Sequence, residues 1–314
     1  MEPYISVVIP VCNEEENILP LYQKLKDDLA ELDKTHEIFF IDDGSTDDTF
    51  LKLSQLHKND KCVSVIKLRK NFGKALALNI AFKNVNGCVI VTMDGDLQDD
   101  SAEIPKFLEK IDEGYELVSG WKYPRNDPPT KTFPSKLFNR LTCLFTGVNL
   151  HDFNCGFKAY RKEVIESINL YGEMHRYTPV LANYYGFKIG EVQVKHHPRK
   201  YGRSKYGINR IIKGFFDLIS VKFLTSYLSR PLHVFGLPGF LSTSIGFLIG
   251  LHLVILKFFY NVELSERPLL LLSVLLIVLG LQFVSLGLLG EMITYREKKA
   301  ENPDIYIGKE LIDH

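Results

Sequence analysis

The chain has 314 residues, and its 38 Lys plus Arg are balanced by 38 Asp plus Glu. At ~150 residues per domain the length predicts about two domains, and the missing basic excess argues against nucleic acid as a partner. A hydrophobic share of 46% with 12% aromatics excludes a disordered chain.

Met1-Glu2-Pro3 opens without a basic or apolar leader region, so no signal peptide is expected. Residues 4–11 (YISVVIPV) are short, apolar and β-branched, which predicts a buried strand. Residues 14–32 have helical periodicity. Residues 37–43 (EIFFIDD) read as a second strand ending in carboxylates. Ser45-Thr46-Asp47-Asp48 offers good N-cap residues for a helix. A third strand is predicted over 62–68, a helix over 74–84 and a fourth strand over 88–94, again ending in Asp. A helix over about 101–112 and a strand over 115–120 follow, with Trp121 packing just after it. Strands alternating with helices predict a mostly parallel α/β sheet flanked by helices. In such sheets ligands bind beyond the carboxyl ends of the strands. Those ends carry Pro10 to Glu14, Asp42-Asp43-Gly44-Ser45 and Asp94-Gly95-Asp96, so three polar strand ends are expected to share one crevice. Cys12, Cys62, Cys88, Cys143 and Cys155 are an odd set with no C-x-x-C pair. They are expected to be small core residues in a reducing compartment, not a disulfide framework.

The composition then shifts. Residues 231–256 and 268–290 are runs of 26 and 23 residues without Asp, Glu, Lys or Arg. About 20 apolar residues span a bilayer core. The plain alternative is a pair of buried core helices, but two such runs only 11 residues apart read better as a transmembrane hairpin over about 232–256 and 268–291. Residues 192–216 hold seven Lys or Arg and no Asp or Glu, and Arg296, Lys298 and Lys299 follow the second run. The positive-inside tendency places the N-terminal domain (1–206), the tail (295–314) and both termini in the cytoplasm, at the cell's inner membrane as a multi-pass protein. Within 207–229, Ile208, Ile211, Ile212, Phe215, Phe216, Ile219 and Phe223 repeat at helical spacing opposite Arg210, Lys213, Asp217 and Ser220. That pattern predicts a helix lying in the membrane interface. His233 and His252 are expected at a helix interface, and the exposed spans are compatible with a homo-oligomer.

The familiar nucleotide signatures are missing. There is no G-x-G-x-x-G, and Gly73-Lys74 lacks both the earlier Gly and the following Ser or Thr of a P-loop. No G-x-S-x-G elbow exists for a serine hydrolase. Asp94 and Asp96, with the small Gly95 between them, can both reach one cation if the loop turns. Mg²⁺ or Mn²⁺ prefers oxygen ligands, often one or two carboxylates plus substrate phosphates. The competing reading is an Asx turn, since D-G is common in turns.

Three segments carry a resemblance: Ile9-Pro10-Val11-Cys12-Asn13-Glu14, Asp42-Asp43-Gly44-Ser45-Thr46-Asp47 and Asp94-Gly95-Asp96-Leu97-Gln98. From residue 4 to about 210 the chain resembles the inverting family-2 glycosyltransferases of the A-type fold. Arg199-x-x-Gly202-Arg203-Ser204-Lys205-Tyr206 ahead of a membrane hairpin resembles their polyisoprenyl-phosphate branch, which includes dolichol-phosphate mannose synthases and bacterial undecaprenyl-phosphate glucosyltransferases. The resemblance implies that Pro10, Asn13, Glu14, Asp42, Asp43, Ser45, Gly73, Lys74 and Asp94 contact the nucleotide. It implies that Asp94 and Asp96 hold Mg²⁺ or Mn²⁺ and that Gln98 lies near the sugar. It makes Asp152, in His151-Asp152-x-x-Cys155-Gly156-Phe157, the candidate base. Arg199, Arg203 and Lys205 would bind the acceptor phosphate, and Arg125 is a further candidate for it. A phosphate monoester is already largely a dianion at neutral pH, so Asp152 is expected to orient the acceptor or steady positive charge at the anomeric carbon. The implied reaction takes a sugar, glucose from UDP-glucose as the first expectation, to a polyprenyl (undecaprenyl) phosphate with inversion. A processive polysaccharide synthase would carry Q-x-x-R-W, whereas Trp121 here follows Gly120. A non-catalytic scaffold would have no use for the paired carboxylates. His196 and His197 are expected at the surface or beside a phosphate.

Overall fold

The computed structural model describes residues 3–123, 139–170, 172, 174–198, 220–222, 231–260 and 268–300, with side chains through Thr294. The predicted site residues Arg125, Arg199, Arg203 and Lys205 lie outside these, as does all but 220–222 of the predicted interfacial helix. Among the described residues, those up to Val221 form one compact unit and those from Lys222 to Ala300 form a second.

In chain order the first unit contains β1 (Ile5–Val11), α1 (Glu15–Ala30), β2 (His36–Asp42), α2 (Thr49–Asn59), β3 (Val63–Lys67), α3 (Lys74–Phe82), β4 (Val89–Thr92), α4 (Ile104–Asp112), β5 (Leu117–Lys122), β6 (Lys158–Arg161), α5 (Lys162–Ser167), α6 (Thr178–Tyr184) and β7 (Ile189–Val194). Short 3₁₀ turns occupy Ser101–Glu103 and Met174–Arg176. The strands form one sheet in the order β3-β2-β1-β4-β6-β5-β7. β1 is paired in parallel with β2 and with β4, Ile5 lying opposite both His36 and Val89. Its residues are almost all buried, and strands enclosed on both faces read as continuous apolar runs. β6 runs antiparallel to both β4 and β5, and β5 pairs in parallel with β7.

Packing follows the periodicities. α1 buries Ile18, Leu21, Leu25 and Leu29 at intervals of three and four, and these join Val7 and Ile9 of β1 in one core with Phe107 and Ile111 of α4. The Phe107 and Phe157 rings lie 4.5 Å apart, seating α4 beside the start of β6. Because β2, β1 and β4 are adjacent and parallel, their C-terminal ends stand side by side, as the sequence led one to expect. The mostly parallel sheet flanked by helices is also as expected. The strand edges differ in detail. β4 ends at Thr92, so Asp94 lies in the loop beyond it, and β5 runs on through Trp121 and Lys122. The cysteines depart from expectation: Cys155 is buried, but Cys62 and Cys88 are exposed because they flank strand ends.

The second unit is dominated by α7 (Pro231–Tyr260) and α8 (Pro268–Ala300), both long and apolar enough to cross a membrane. Small residues let their backbones approach. A Cβ on Gly239 would meet the Gly280 carbonyl at 2.7 Å, one on Gly246 would meet the Ser273 carbonyl at 2.8 Å, and one on Gly280 would collide with Thr243. Ser242 Oγ donates to the Leu276 carbonyl (2.8 Å) and Ser273 Oγ to the Gly246 carbonyl (2.7 Å). In a bilayer such contacts would replace the hydrophobic drive that is missing between helices in lipid. Phe240, Phe247, Phe258, Leu271, Val278 and Leu289 point outward. His233 and His252 are also exposed, not at the helix interface, because the small residues occupy that seam.

Candidate active site

The turns after β1 and β2 are built into each other. Asn13 adopts a left-handed conformation (φ 53°), which Asn tolerates better than most residues. Its N–H donates to Ser45 Oγ (2.9 Å), and its Oδ1 accepts from the Thr46 N–H (2.8 Å). The Glu14 N–H donates to Thr49 Oγ1 (2.9 Å), and Glu14 Oε2 accepts from Asn17 (2.6 Å). Pro10 is half-buried beside them. Asp42 is buried; its Oδ1 accepts from the Ser45 N–H (2.8 Å), while its Oδ2 accepts no hydrogen bond among the described residues and has Lys67 at 4.0 Å. Asp43 spends both oxygens on the next loop, accepting from the N–H groups of Phe72 (2.7 Å) and Gly73 (2.9 Å). Gly44 is required between these elements. It has φ +69°, and a Cβ there would collide with the Lys70 backbone.

That loop delivers Lys74, the first residue of α3, to the end of β4, where its ammonium pairs with Asp94. The Asp94 N–H donates to Asp99 Oδ2 (3.0 Å), and the Gln98 N–H donates to Asp96 Oδ1 (3.2 Å). Leu97 sits between them at φ 61°, a conformation costly for leucine. Its side chain packs on the core, which holds the turn in place. Gly156 lies opposite: a Cβ there would come within 2.8–2.9 Å of both Asp94 oxygens and of Lys74 Nζ. The Asx turn expected for this segment is therefore formed, with the Gln98 N–H on Asp96 Oδ1.

Beneath the carboxylates is a buried charged layer. Lys122 Nζ lies 3.6 Å from Asp99 and His196 Nδ1 lies 4.0 Å from it. Burial opposes the Lys122 charge, but Asp99 and Asp94 outweigh it and hold the ammonium protonated far above the ordinary range. One cation serving several carboxylates leaves Asp99 the loser: burial first, then the Asp94 charge, raises it despite Lys122. Burial would raise Asp94 also, yet Lys74 and Lys122 hold it well below the usual carboxylate range. Burial lowers Lys158 to about 8, and its ammonium donates to the Cys155 carbonyl. Burial pushes the Cys155 thiol up to about 12, so it is no nucleophile at neutral pH. His175 is pushed well below its ordinary value by burial and by Lys74, and stays neutral.

Gln98 Nε2 donates to the His197 carbonyl (3.2 Å), and the His197 N–H returns a bond to the Gln98 carbonyl (2.8 Å). Asp100 pairs with Lys24 (2.6 Å) and His197 (3.1 Å). His196 is largely buried against Asp99, whereas His197 is exposed, so of the two only His197 lies at the surface. Asp152 is buried; its Oδ1 accepts from the Asn154 N–H (3.0 Å), and both Lys122 and Lys158 feel its charge.

The sequence pattern of the family described as "Glycosyl transferase family 2" matches residues 6–168, the stretch that holds all of these turns. The chain belongs to that family. It is 35% identical over 317 residues to a dodecaprenyl-phosphate galacturonate synthase of Rhizobium johnstonii, covering 98% of this chain and 93% of that one. It is also 35% identical, with the same coverage, to an undecaprenyl-phosphate 4-deoxy-4-formamido-L-arabinose transferase of Shewanella sediminis. Among solved structures, glucosyl-3-phosphoglycerate synthase from Mycobacterium tuberculosis, in complex with Mn²⁺, uridine diphosphate and glucosyl-3-phosphoglycerate, aligns with a TM-score of 0.54 at 19% identity, over 71% of this chain and 80% of that one. The mannosyltransferase PcManGT from Pyrobaculum calidifontis, in complex with GDP-Man and Mn²⁺, gives 0.50 at 19% identity, over 72% and 64%. The fold is the expected A-type arrangement, and the protein is a glycosyltransferase.

In this family-2 enzyme the structure gathers Asn13, Asp42, Asp43, Ser45, Gly73, Lys74, Asp94, Asp96 and Gln98 into neighbouring loops joined by the bonds above. Sequence reading missed Lys122, Lys158, His175 and Glu191. Lys122, His175 and Glu191 act on groups far away in the chain, and Lys158 is a buried lysine inside a four-residue strand. A signal existed for Lys122: a charged residue closing an otherwise apolar strand.

Proposed function

We propose that this enzyme is a membrane-bound inverting transferase that moves one sugar from a nucleotide-diphosphate donor to a polyprenyl monophosphate, giving a β-linked lipid product. The observation that carries it is the union in one chain of paired carboxylates at the β4 end and two apolar helices able to hold the enzyme where a long lipid lives. The names of the relatives, a dodecaprenyl-phosphate and an undecaprenyl-phosphate sugar transferase, support the acceptor class. UDP-glucose remains the first donor to try, and the relatives extend the panel to galacturonate and formamido-arabinose donors.

In this reading Asn13, Glu14, Asp42 and Ser45 line the base and ribose pocket with Pro10, while Asp43 fixes the loop through Gly73. The chain fits a divalent cation. Asp94 already attracts a positive group, the Lys74 ammonium, and Asp96 stands two residues on. Among the described residues no cluster of three metal-ligating side chains exists. Asp94 and Asp96 would hold such a cation together with donor phosphates, which suits Mg²⁺ or Mn²⁺. When bound it neutralises charge on the departing diphosphate. Gln98 borders the sugar. The acceptor phosphate oxygen attacks the anomeric carbon as the bond to the diphosphate breaks on the opposite face, and Asp152 steadies the positive charge that develops there. Arg125, Arg199, Arg203 and Lys205 supply the cations that position the acceptor phosphate. The catalytic unit and both termini are cytoplasmic, 207–229 lies in the interface, and 232–256 with 268–291 spans the inner membrane.

The test is transfer of radiolabel from each donor to undecaprenyl phosphate with purified full-length protein, with Mg²⁺, Mn²⁺ or chelator. One donor should label the organic phase in a metal-dependent way, and Asp96→Asn should lose most of that turnover. Label passing only to water or to a non-lipid acceptor would overturn the acceptor class.

A further inference from the structure

Asp152 lies in a stretch without regular structure ahead of β6, so no strand or helix ladder holds its backbone. Something else must, if its carboxylate is to meet a reactant to within a fraction of an ångström. Glu191 supplies the hold. It stands on β7, opposite Ser119 of β5, and its side chain is only 14% exposed. Its Oε1 accepts from two successive backbone N–H groups, His151 (2.9 Å) and Asp152 (3.2 Å). Its Oε2 lies 2.7 Å from His151 Nδ1. The His151 ring is stacked on Trp121 of β5, centroids 4.1 Å apart and planes within 13°. A carboxylate bound by successive N–H groups makes strong, directional bonds. Two sheet strands thus grip one loop residue on both its backbone and its ring.

We propose that Glu191 is the positioning residue for Asp152, with the His151–Trp121 stack closing the grip from outside. The inference rests on the role given to Asp152 above. It adds a residue from β7 that acts on the transfer step without touching either substrate. Asp152 Oδ1 is engaged by Asn154, and Oδ2 makes no hydrogen bond among the described residues. A small rotation of the loop would redirect that one oxygen, and misplacement of ~1 Å can cost about a hundredfold in rate. Glu191 is therefore expected to govern kcat and leave donor affinity alone.

The experiment is a double-mutant cycle on the full-length enzyme in lipid, read as kcat and donor KM. Glu191→Ala should lower kcat at least about tenfold with donor KM within about threefold of wild type, and Glu191→Gln, which keeps an oxygen for both N–H groups, should recover most of it. Asp152→Asn should be slower still. Glu191→Ala combined with Asp152→Asn should be no slower than Asp152→Asn by more than about twofold, because the two act through one group. Losses that multiply, a loss confined to donor KM, or wild-type kcat in Glu191→Ala would each overturn the inference. If Asp152→Asn keeps wild-type turnover, the positioning role falls while lipid glycosylation stands. If wild type labels no lipid, the functional reading falls first. Should Glu191→Ala fail to fold, Glu191→Gln and His151→Ala carry the same cycle, each with a smaller loss that must vanish on an Asp152→Asn background.

Discussion

At the scale of single residues, the site depends on what is absent as much as on what is present. Gly156 has no side chain where one would press on both Asp94 oxygens and on Lys74. Gly156→Ala should therefore cut transfer by about a hundredfold while the melting temperature barely moves, since the nearest groups are side-chain tips facing the crevice. A matching loss of stability would show that the glycine serves packing instead. Asp100 makes a pH-dependent contribution of known sign. Burial alone would raise it, but Lys24 and His197 hold it at about 2, against 3.8 for an ordinary Asp. A depressed carboxyl stabilises above its unfolded value, and that stability drains away as pH falls from 3.8 toward 2. Asp100→Asn should be less stable near neutrality and show a flatter acid limb in melts taken across that window. The paired carboxylates, Asp42-Asp43 and the glycines beside them were legible because turn chemistry is local in sequence. The Lys24–Asp100 pair spans 76 positions and the Glu191–His151 bond spans 40, and no local pattern announces such partners.

At the scale of elements, hydrophobic runs marked β1, β2, β4 and both long helices: the three strands are mostly buried, and a span in lipid would need the same continuous apolar sequence. β6 was not legible. Its four residues, Lys158–Arg161, include a buried lysine, and only its place between β4 and β5 makes it a strand. The end of β5 was not legible either: its last residue is the charged Lys122, which is nearly buried against Asp99. In the hairpin, the seam of glycines and serines is the element that decides packing. Gly280→Leu would drive a side chain into Thr243 and the Gly239 carbonyl, so it should separate the helices and lower thermal stability in detergent by several degrees. Leu281→Ala, which removes an outward-facing side chain, should leave it nearly unchanged.

At the scale of the whole molecule, the family-2 sheet and the two long apolar helices belong to two units with separate interiors. One interior is a hydrophobic core under a sheet. The other is a narrow seam of small residues whose outer surface is left apolar. That surface carries a length. At ~1.5 Å per residue the uncharged run 268–290 measures about 35 Å, against a hydrocarbon core of about 30 Å. Rigidly joined helices cannot shorten, so in a thin bilayer the pair must lean. Reconstituted into vesicles whose acyl chains lengthen from about 14 to about 20 carbons, the hairpin should stand progressively more upright by polarised infrared spectroscopy. An angle indifferent to chain length would mean that the helices do not cross the bilayer as a pair. An angle that follows it would make membrane thickness a physical variable to which this glycosyltransferase responds.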